Sequence, residues 1–393
     1  MPSPLLVLLS LVFPFFLVGA TPLEKRATCT VASAGNAGVD DVPAIEAAIK
    51  SCGNGGIIVL SAGKTYMIRS TLDFTGCVGC EVQIEGTLKL SDDTTFWNGV
   101  RAAILLTNVS GATIHSKTST GLVDGNGVPF WRKFASDSSF ARPTLMYITG
   151  GSKITIHQSN SAPNVFHSVT GGASNVLYRG LTLKAVATST ATPKNTDGFD
   201  VRASTFVTIT QTTVQNQDDC VAFKAGANYV TVTDITCSGS HGLSVGSLAK
   251  SNNDAVTNIY VSGATMIDSS KATGIKLYDG SSGHGVATVR NVTFDSITIQ
   301  KCDYAAQIQS CYGSTDTCVP SKHTVTDVYW TNIKGTTSTK EDPVVANLNC
   351  PSQGTCNLHF SGFTVKAPSG KANLLCTAVN SNSGVSCSGA ASG

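Results

Sequence analysis

The sequence has few charged side chains, and the two signs nearly cancel. Only 13% of the 393 residues are Asp, Glu, Lys or Arg, and 27 basic against 25 acidic residues leave a formal net charge of +2. Such a chain has no overall basic field to attract nucleic acid or a membrane surface, so individual lysines would have to recognise any polyanion. Gly, Ser, Thr and Asn are abundant instead, which favours tight turns and stacked polar ladders over helices.

The sequence also lacks a long apolar segment. Residues 5–18 form an apolar run, interrupted by Pro14, which is too short to span a membrane and typical of a signal peptide. We therefore expect a signal peptide over residues 1–20 and a propeptide over residues 21–26 that ends at Lys25-Arg26. The mature, secreted chain would start at Ala27; an uncleaved N-terminal anchor is the alternative.

Cysteine is plentiful, which indicates an oxidising compartment. The 13 cysteines leave Cys302 over as a buried free thiol, and the other twelve are expected to pair with near neighbours in sequence as Cys29/Cys52, Cys77/Cys80, Cys220/Cys237, Cys311/Cys318, Cys350/Cys356 and Cys376/Cys387. A metal site is the alternative use of Cys77-x-x-Cys80, but no second such motif is spaced to complete a zinc site. Two sequons predict glycosylation at Asn108 and Asn291, as a secreted surface allows.

Short segments that alternate apolar and polar residues recur along the chain, as expected for strands with one face in a core. Their equivalent apolar positions are Ile154, Val176, Val207, Val230, Ile259 and Val292. The spacing predicts an all-β solenoid with a coil of roughly 22 residues and loops inserted in some coils. Because no low-complexity linker divides the chain, we expect a single domain over residues 27–393; an antiparallel sandwich is the alternative fold.

One helix is predicted near the N-terminus. Residues 42–49 have helical spacing of apolar side chains, and Asp40-Asp41 before them would suit an N-cap. Such a helix would close the open end of the solenoid, whose terminal core otherwise meets water.

Four polar clusters lie on the repeating strands: Asn195-Thr196-Asp197, Gln217-Asp218-Asp219, Ser240-His241-Gly242 and Gly274-Ile275-Lys276. Asp197, Asp219 and His241 follow one another at equal intervals of one coil, and Lys276 comes after an interval long enough for a coil with an insertion. One coil per interval would stack these side chains on one face, about 4.8 Å apart. Crowded carboxylates raise the pKa of one member, so the set suits acid and base catalysis on a glycosidic bond.

An Asp-Asp pair alone is more often a solvated turn or a calcium site. The chain contains two further pairs, Asp40-Asp41 and Asp92-Asp93, without a surrounding cluster, and we assign them no catalytic role.

These clusters resemble the four signature blocks of the polygalacturonase-type glycoside hydrolases of family 28. The blocks here read Asn195-Thr196-Asp197-Gly198-Phe199-Asp200, Gln217-Asp218-Asp219-Cys220, Ser240-His241-Gly242 and Ile275-Lys276. The resemblance covers nearly the whole mature chain. It implies a right-handed parallel β-helix and hydrolysis of galacturonic-acid linkages in pectin with inversion.

The resemblance also implies a role for each residue. Asp218 corresponds to the general acid, and Asp197 with Asp219 corresponds to the pair that activates water. His241 corresponds to the histidine that supports the acid, and Lys276 to the lysine that binds galacturonate.

Further positions follow from the same resemblance. Asn195 and Tyr312 would contact the sugar, and the Cys220/Cys237 disulfide would lie beside the site. No metal or organic cofactor is implied. The implied partner is a pectic polysaccharide, with neither nucleic acid nor membrane, and we expect a monomer.

The fourth block departs from the family pattern, because Gly274 stands where polygalacturonases have an arginine of an Arg-Ile-Lys sequence. The missing guanidinium should weaken binding of unbranched polygalacturonate by roughly 1–3 kcal/mol. The glycine should also open space beside the sugar for a branch, so we count Gly274 among the substrate-binding residues. Within the family the chain most resembles the fungal xylogalacturonan hydrolases, which cleave galacturonan that carries xylose.

Three alternatives remain at this point. The first is an exo- or endo-polygalacturonase that acts on unbranched chains. The second is a pectate or pectin lyase on the same fold. The third is an inactive β-helix that only binds polysaccharide.

Overall fold

The computed structural model describes residues 26–157, 159–188, 190–315 and 317–393. The predicted signal peptide and all of the predicted propeptide except Arg26 lie outside the described residues. No helix among the described residues has both the length and the apolar character that a membrane span requires.

The described chain is built almost wholly of short strands. The helices are α1 (Val42–Cys52) and α2 (Gly127–Ser136). In chain order, the first strands are β1 (Thr28–Val31), β2 (Ile57–Leu60), β3 (Thr65–Ile68), β4 (Leu72–Asp73), β5 (Glu81–Ile84), β6 (Thr87–Leu90), β7 (Ala102–Thr107), β8 (Thr113–His115), β9 (Leu122–Asp124), β10 (Thr144–Thr149), β11 (Ser152–His157), β12 (Ser159–Ser161), β13 (His167–Thr170), β14 (Ser174–Arg179), β15 (Thr182–Lys184) and β16 (Phe199–Val201). The remaining strands are β17 (Ser204–Gln215), β18 (Val221–Phe223), β19 (Ala227–Ser238), β20 (Leu243–Leu248), β21 (Asp254–Ser262), β22 (Thr265–Ile267), β23 (Lys271–Leu277), β24 (Ala287–Asp295), β25 (Thr298–Cys302), β26 (Tyr304–Gln309), β27 (Thr324–Thr331), β28 (Lys334–Thr337), β29 (Val344–Asn349), β30 (Thr355–Ser361), β31 (Asn373–Thr377) and β32 (Ser381–Ser383).

The predicted repeat positions coincide with the register of the strands. Ile154 pairs with Val176, Val176 with Val207, and Val207 with Val230, each in parallel. The series continues through Ile259 to Val292. The parallel solenoid is therefore confirmed and the antiparallel sandwich is excluded, because stacked coils pair strands of the same direction.

The strands form two parallel sets. One is a sheet of 11 strands, in the order β4, β7, β10, β13, β16, β18, β20, β23, β26, β29 and β31, and the other joins the remaining 21 strands. The apolar side chains between them stack coil upon coil; Trp330, for example, lies between Phe294 and Phe360, with ring centroids 5.9 and 4.8 Å away. Each large apolar side chain buried in this way contributes roughly 1.5–3 kcal/mol.

Helix α1 covers the first coil, as predicted. Val42, Ile45 and Ile49 are buried beneath it, and a disulfide from Cys52 to Cys29 fastens its end to β1. The capping differs from the expectation. Asp41 occupies the N-cap position, but its side chain makes no capping bond, because its two oxygens accept the N–H groups of Ala34 and Met67.

The second helix, α2, was not predicted. It buries Phe130 and Trp131, and Phe134 on the same helix lies under the guanidinium of Arg142, 3.8 Å from the ring centroid. This contact brings α2 to the border of the polar site described below.

All six predicted disulfides are present: Cys29–Cys52, Cys77–Cys80, Cys220–Cys237, Cys311–Cys318, Cys350–Cys356 and Cys376–Cys387. The alternative of a metal site at Cys77 and Cys80 is therefore excluded. Cys302 is free and buried, as expected, and burial raises the pKa of its thiol to about 11. Both sequon residues, Asn108 and Asn291, are exposed, and their glycosylation stays a prediction.

Candidate active site

The predicted site residues meet where strands of the 11-stranded sheet begin. Asp197, Asp219 and His241 each stand two residues before a strand, namely β16, β18 and β20. The first residues of those strands, Phe199, Val221 and Leu243, are paired in register. The three side chains therefore occupy one column across neighbouring coils, which we call the entrance column.

A bend in the backbone turns both members of the Asp218-Asp219 pair into this region. Buried Asn216 holds the bend, because its Nδ2 donates to the carbonyl oxygens of Thr196, Asp218 and Asp219 at 2.7, 3.1 and 2.9 Å. In a straight strand the two carboxylates would face opposite sides of the sheet. The asparagine also ties the Asp218-Asp219 coil to the coil before it, so the two clusters are fixed relative to each other.

Three carboxylates lie within reach of one another. One oxygen each from Asp197, Asp218 and Asp219 lies within 4.8 Å of the other two. Their exposure differs: the side chain of Asp218 is 17% exposed, that of Asp197 9% and that of Asp219 1%. Asp218 is thus the member nearest to the solvent, and the other two lie beneath it.

Two lysines balance the buried charges. Lys276 Nζ donates to Asp219 Oδ2 at 2.5 Å, and Lys224 Nζ lies 3.6 Å from Asp197 and 3.5 Å from Asp200. Burial would lower the pKa of Lys276, but Asp219 outweighs burial and the pKa is raised. Asp197, Asp218 and Asp219 could offer ligands to a metal ion, yet the ammonium of Lys276 already supplies positive charge at Asp219.

Asp218 is held by the side chains of two neighbours, His241 and Asn195. Its Oδ1 lies 3.2 Å from His241 Nδ1, and its Oδ2 accepts a bond from Asn195 at 3.3 Å. Asn195 is in turn oriented by Arg142, which donates to the asparagine oxygen at 3.0 Å. The predicted contact between His241 and Asp218 is therefore present, with Arg142 as an added support.

In the free protein the pKa values of Asp197 and Asp218 are shifted in opposite directions. Burial raises the pKa of Asp197 well above its usual value, and the charges of Asp200 and Asp218 raise it further. Burial would also raise the pKa of Asp218, but hydrogen bonding to His241 and the charge of that ring lower it to about 2. In the free protein the surroundings therefore favour a proton on Asp197 over one on Asp218, whereas the acid role expected for Asp218 requires a proton there.

Lys276 and Tyr312 lie next to each other in the site. Lys276 Nζ lies 5.5 Å from the centroid of the Tyr312 ring, and that ring meets Tyr278 edge to face at 5.6 Å. The aromatic face and the ammonium together suit a sugar that carries a carboxylate.

The expectation of open space at Gly274 is wrong. A Cβ built on Gly274 would lie 2.5 Å from Cδ and 2.6 Å from Cε of Lys271. The side chain of Lys271 therefore fills the volume that the missing arginine was expected to leave. Whether Gly274 contributes to substrate binding stays a prediction.

Four charged residues of the site were not singled out from the sequence. Lys224, Asp200 and Arg142 contact the entrance column or its supports through long or strand-borne side chains whose direction no spacing reveals. The place of the fourth, Lys271, could have been predicted from the sequence repeat. It stands two residues before Thr273, which pairs with Leu243, so it is the next member of the column after His241.

Comparison with known proteins agrees with this geometry. The profile described as Glycosyl hydrolases family 28 matches residues 52–387. Endo-xylogalacturonan hydrolase A from Aspergillus tubingensis is 53% identical over 376 residues, which cover 94% of this chain and 93% of the relative. Probable endo-xylogalacturonan hydrolase A from Aspergillus oryzae is 52% identical over the same length, 94% of this chain and 93% of that protein.

Solved structures show the same fold. The crystal structure of endo-xylogalacturonan hydrolase from Aspergillus tubingensis superposes with a TM-score of 0.91 over 93% of this chain and 100% of that one, at 53% identity. A polygalacturonase from Erwinia carotovora shares the fold at 18% identity, with a TM-score of 0.71 over 92% of this chain and 98% of its own. With a matched profile over most of its length, these two Aspergillus relatives and a parallel β-helix, the chain belongs to glycosyl hydrolases family 28.

Proposed function

We propose that this glycoside hydrolase cleaves the galacturonan backbone of xylogalacturonan, within the chain and with inversion. The observation that carries the substrate is the 53% identity, over 94% of the chain, to a relative named endo-xylogalacturonan hydrolase A. The three clustered carboxylates and the two lysines beside them supply the chemistry.

Asp218 acts as the general acid, because it is the most exposed of the three carboxylates and can meet the leaving oxygen at the cleft surface. A bound polymer covers Asp218 and removes water from it, which favours its protonated form. His241, whose side chain is 48% exposed, can take a proton from solvent and pass it to Asp218 across the 3.2 Å contact.

Asp219 and Asp197 position and activate the attacking water: Asp219 accepts its proton, and Asp197, whose pKa is raised, orients it by a hydrogen bond. Lys276 occupies one oxygen of Asp219, and the other, Oδ1, is buried with no hydrogen-bond partner among the described residues. A buried carboxylate oxygen is costly without a donor, so it is the natural place for a water that then attacks the sugar.

The distances between the three carboxylates are short for an inverting enzyme. Inverting enzymes commonly hold their acid and base carboxyls ~6.5–9.5 Å apart. Here one oxygen of each carboxylate lies within 4.8 Å of the others. The configuration of the first product is therefore the sharpest test of inversion.

The substrate is tested by release of reducing ends from three polymers: xylogalacturonan, the same polymer after removal of xylose, and polygalacturonate. We expect the fastest release from the branched polymer. Equal or faster release from the bare chains would instead make the protein a polygalacturonase. An ultraviolet-absorbing unsaturated product would identify a lyase, and no release from any of the three would leave only a binding protein.

We also propose that the protein is secreted and acts as a monomer. Six disulfides among the described residues suit an extracellular protein. Size-exclusion chromatography of the protein from culture medium, with N-terminal sequencing to test the start at Ala27, checks both statements. Protein retained in the cell, or a dimer at working concentration, would contradict them.

A further inference from the structure

Lys271 is a buried cation that makes no direct contact with a carboxylate among the described residues. The residue is 6% exposed, and among the described residues it forms no ion pair and no side-chain hydrogen bond. Its neighbour Lys276, by contrast, is paired with Asp219 at 2.5 Å. A buried charge without a partner is costly, so such a group is retained where an anion arrives from outside.

Its place in the fold is that of a site residue. Lys271 follows Asp197, Asp219 and His241 as the next member of the entrance column. The interval from His241 to Lys271 is longer than the one from Asp219 to His241, because this coil carries an inserted loop. Three members of the column already belong to the candidate active site.

Two glycines make room for the lysine. A Cβ on Gly242 would lie 3.0 Å from Lys271 Cγ, and one on Gly274 would lie 2.5 Å from Cδ. The aliphatic stem therefore passes over the residue that precedes β20 and then over Gly274 of its own strand. Gly274 and Lys276 are two residues apart in β23 and so face the same side. Gly242, which directly precedes β20, has φ +108°, a backbone conformation that other residues rarely adopt, so the local backbone itself favours the glycine over which the stem passes.

Electrostatics agree with an ammonium placed among the catalytic groups. Burial and the charge of Lys276 lower the pKa of Lys271 to about 8, while Asp219 and Asp218 oppose that change. The side chain thus keeps its positive charge at neutral and acidic pH. Asp218 and Asp219 attract the Lys271 ammonium without contacting it, so a carboxylate that reaches this ammonium would form its first direct ion pair.

We propose that Lys271, whose side chain lies over Gly274, binds a carboxylate of the galacturonan chain next to Lys276. The inference rests on the proposed function, since it takes a polyuronic acid as the ligand. The chain would then bind its substrate with two lysines from a single strand, β23, in place of a guanidinium at position 274.

The test uses two neutral variants, Lys271→Met and Lys271→Gln, which keep an unbranched stem over Gly274. We expect KM for the acidic polymer to rise roughly tenfold to a hundredfold, as for loss of one charge-assisted hydrogen bond, with kcat changed much less. Lys334→Met removes an exposed lysine of β28 on the other strand set and should leave KM unchanged.

A second pair of measurements separates binding from packing. In the Asp218→Asn background, calorimetry should show that Lys271→Met weakens binding of acidic oligosaccharides but not of their methyl esters, which carry no carboxylate. Gly274→Ala should displace Lys271 and raise KM by itself, yet add nothing in the Lys271→Met background.

The outcomes are distinguishable. Wild-type protein that cleaves galacturonan, together with a folded neutral variant of unchanged KM, overturns the role of Lys271 and leaves the proposed function standing. An equal loss for acid and ester overturns it as well, because packing alone would then explain the effect. Wild-type protein that cleaves no galacturonan overturns the proposed function itself.

Discussion

Two Asp-Asp pairs in this chain have the same sequence and similar burial but different partners. Asp41 is 2% exposed and Asp219 is 1% exposed, so burial does not distinguish the pair at the N-terminal helix from the pair in the candidate active site. The distinction lies in what each carboxylate contacts.

The N-terminal pair is bound mainly by backbone groups, with one hydroxyl side chain as a further donor. Asp41 accepts the N–H groups of Ala34 and Met67, each at 2.7 Å, and Asp40 accepts that of Arg69 at 3.0 Å. Backbone donors are fixed by the fold, so these carboxylates fasten the first coil.

The other pair is bound mainly by side chains. Asp218 accepts one hydrogen bond from the backbone N–H of Asp219 and otherwise contacts the side chains of His241 and Asn195. Asp219 contacts the side chain of Lys276. One oxygen of Asp219 has no partner among the described residues. Side-chain donors that titrate or move, together with an open oxygen, distinguish a reactive carboxylate from a structural one.

The largest expected effect is on catalysis at Asp218. Asp218→Asn keeps the size of the side chain but cannot donate the acidic proton, so kcat should fall roughly 10²–10⁴-fold. Reducing-end release measures this, and circular dichroism should show an intact fold. Wild-type activity in the folded variant would remove Asp218 from the mechanism.

The counterpart at Asp41 should affect stability and leave the chemistry intact. Asp41→Asn replaces one acceptor oxygen by an amide, which leaves the N–H of Ala34 or Met67 unpaired and should cost about 1.5–3 kcal/mol of unfolding free energy. Urea unfolding measures the loss, and kcat should equal that of the wild type. The exposed Asp93→Asn is the matched control, with a much smaller change in stability. A large loss of kcat in Asp41→Asn would erase the distinction between the two pairs.

Two neighbouring site carboxylates should give opposite pH dependences of stability. The pKa of Asp197 is raised above 3.8 in the folded protein, so its contribution to stability is present below that pH and is lost as the pH rises. Asp197→Asn should therefore gain stability relative to the wild type between pH 4 and pH 7. The pKa of Asp218 is lowered to about 2, so its contribution is present above pH 3.8 and is lost as the pH falls towards 2.

Asp218→Asn should accordingly lose stability relative to the wild type near neutral pH and recover this difference in acid. Urea unfolding of both variants from pH 2.5 to pH 7 tests the pair of slopes. Slopes of the same sign in both variants would contradict the separation of the two pKa values.

The smallest effect is expected at Arg142, which positions Asn195 without touching the proposed reacting atoms. Arg142→Lys loses the planar group that donates to Asn195 and lies on the ring of Phe134, so kcat should fall by roughly tenfold while KM changes less. Arg179→Lys, at an exposed arginine bound to Gln211, is the control. Equal effects of the two substitutions would show that Arg142 has no particular role.

The repeat was predictable because register in a solenoid is set by the apolar face of each strand. The positions from Ile154 to Val292 alternate clearly enough to identify the core side in every coil, whatever the length of the loops between them. The disulfides were predictable for a related reason, since cysteines that are close in sequence are also close within a coil.

Long side chains were not predictable. Lys224 reaches Asp197 and Asp200 from the end of β18, and Lys271 lies over Gly274, three residues further along its own strand. The repeat determines where each Cα stands in the coil but not where a flexible ammonium ends. The expectation of open space at Gly274 was wrong for this reason, because the side chain of Lys271, three residues earlier, fills that space.

The most direct test of the account is the anomeric configuration of the first product, followed by proton nuclear magnetic resonance during hydrolysis of xylogalacturonan. Attack by a water held at Asp219 and Asp197, with Asp218 protonating the leaving oxygen, is a single displacement and predicts that the β-anomer of the new reducing end forms first. An α-anomer formed first would mean a covalent intermediate on one of the carboxylates, and would contradict the roles assigned to all three.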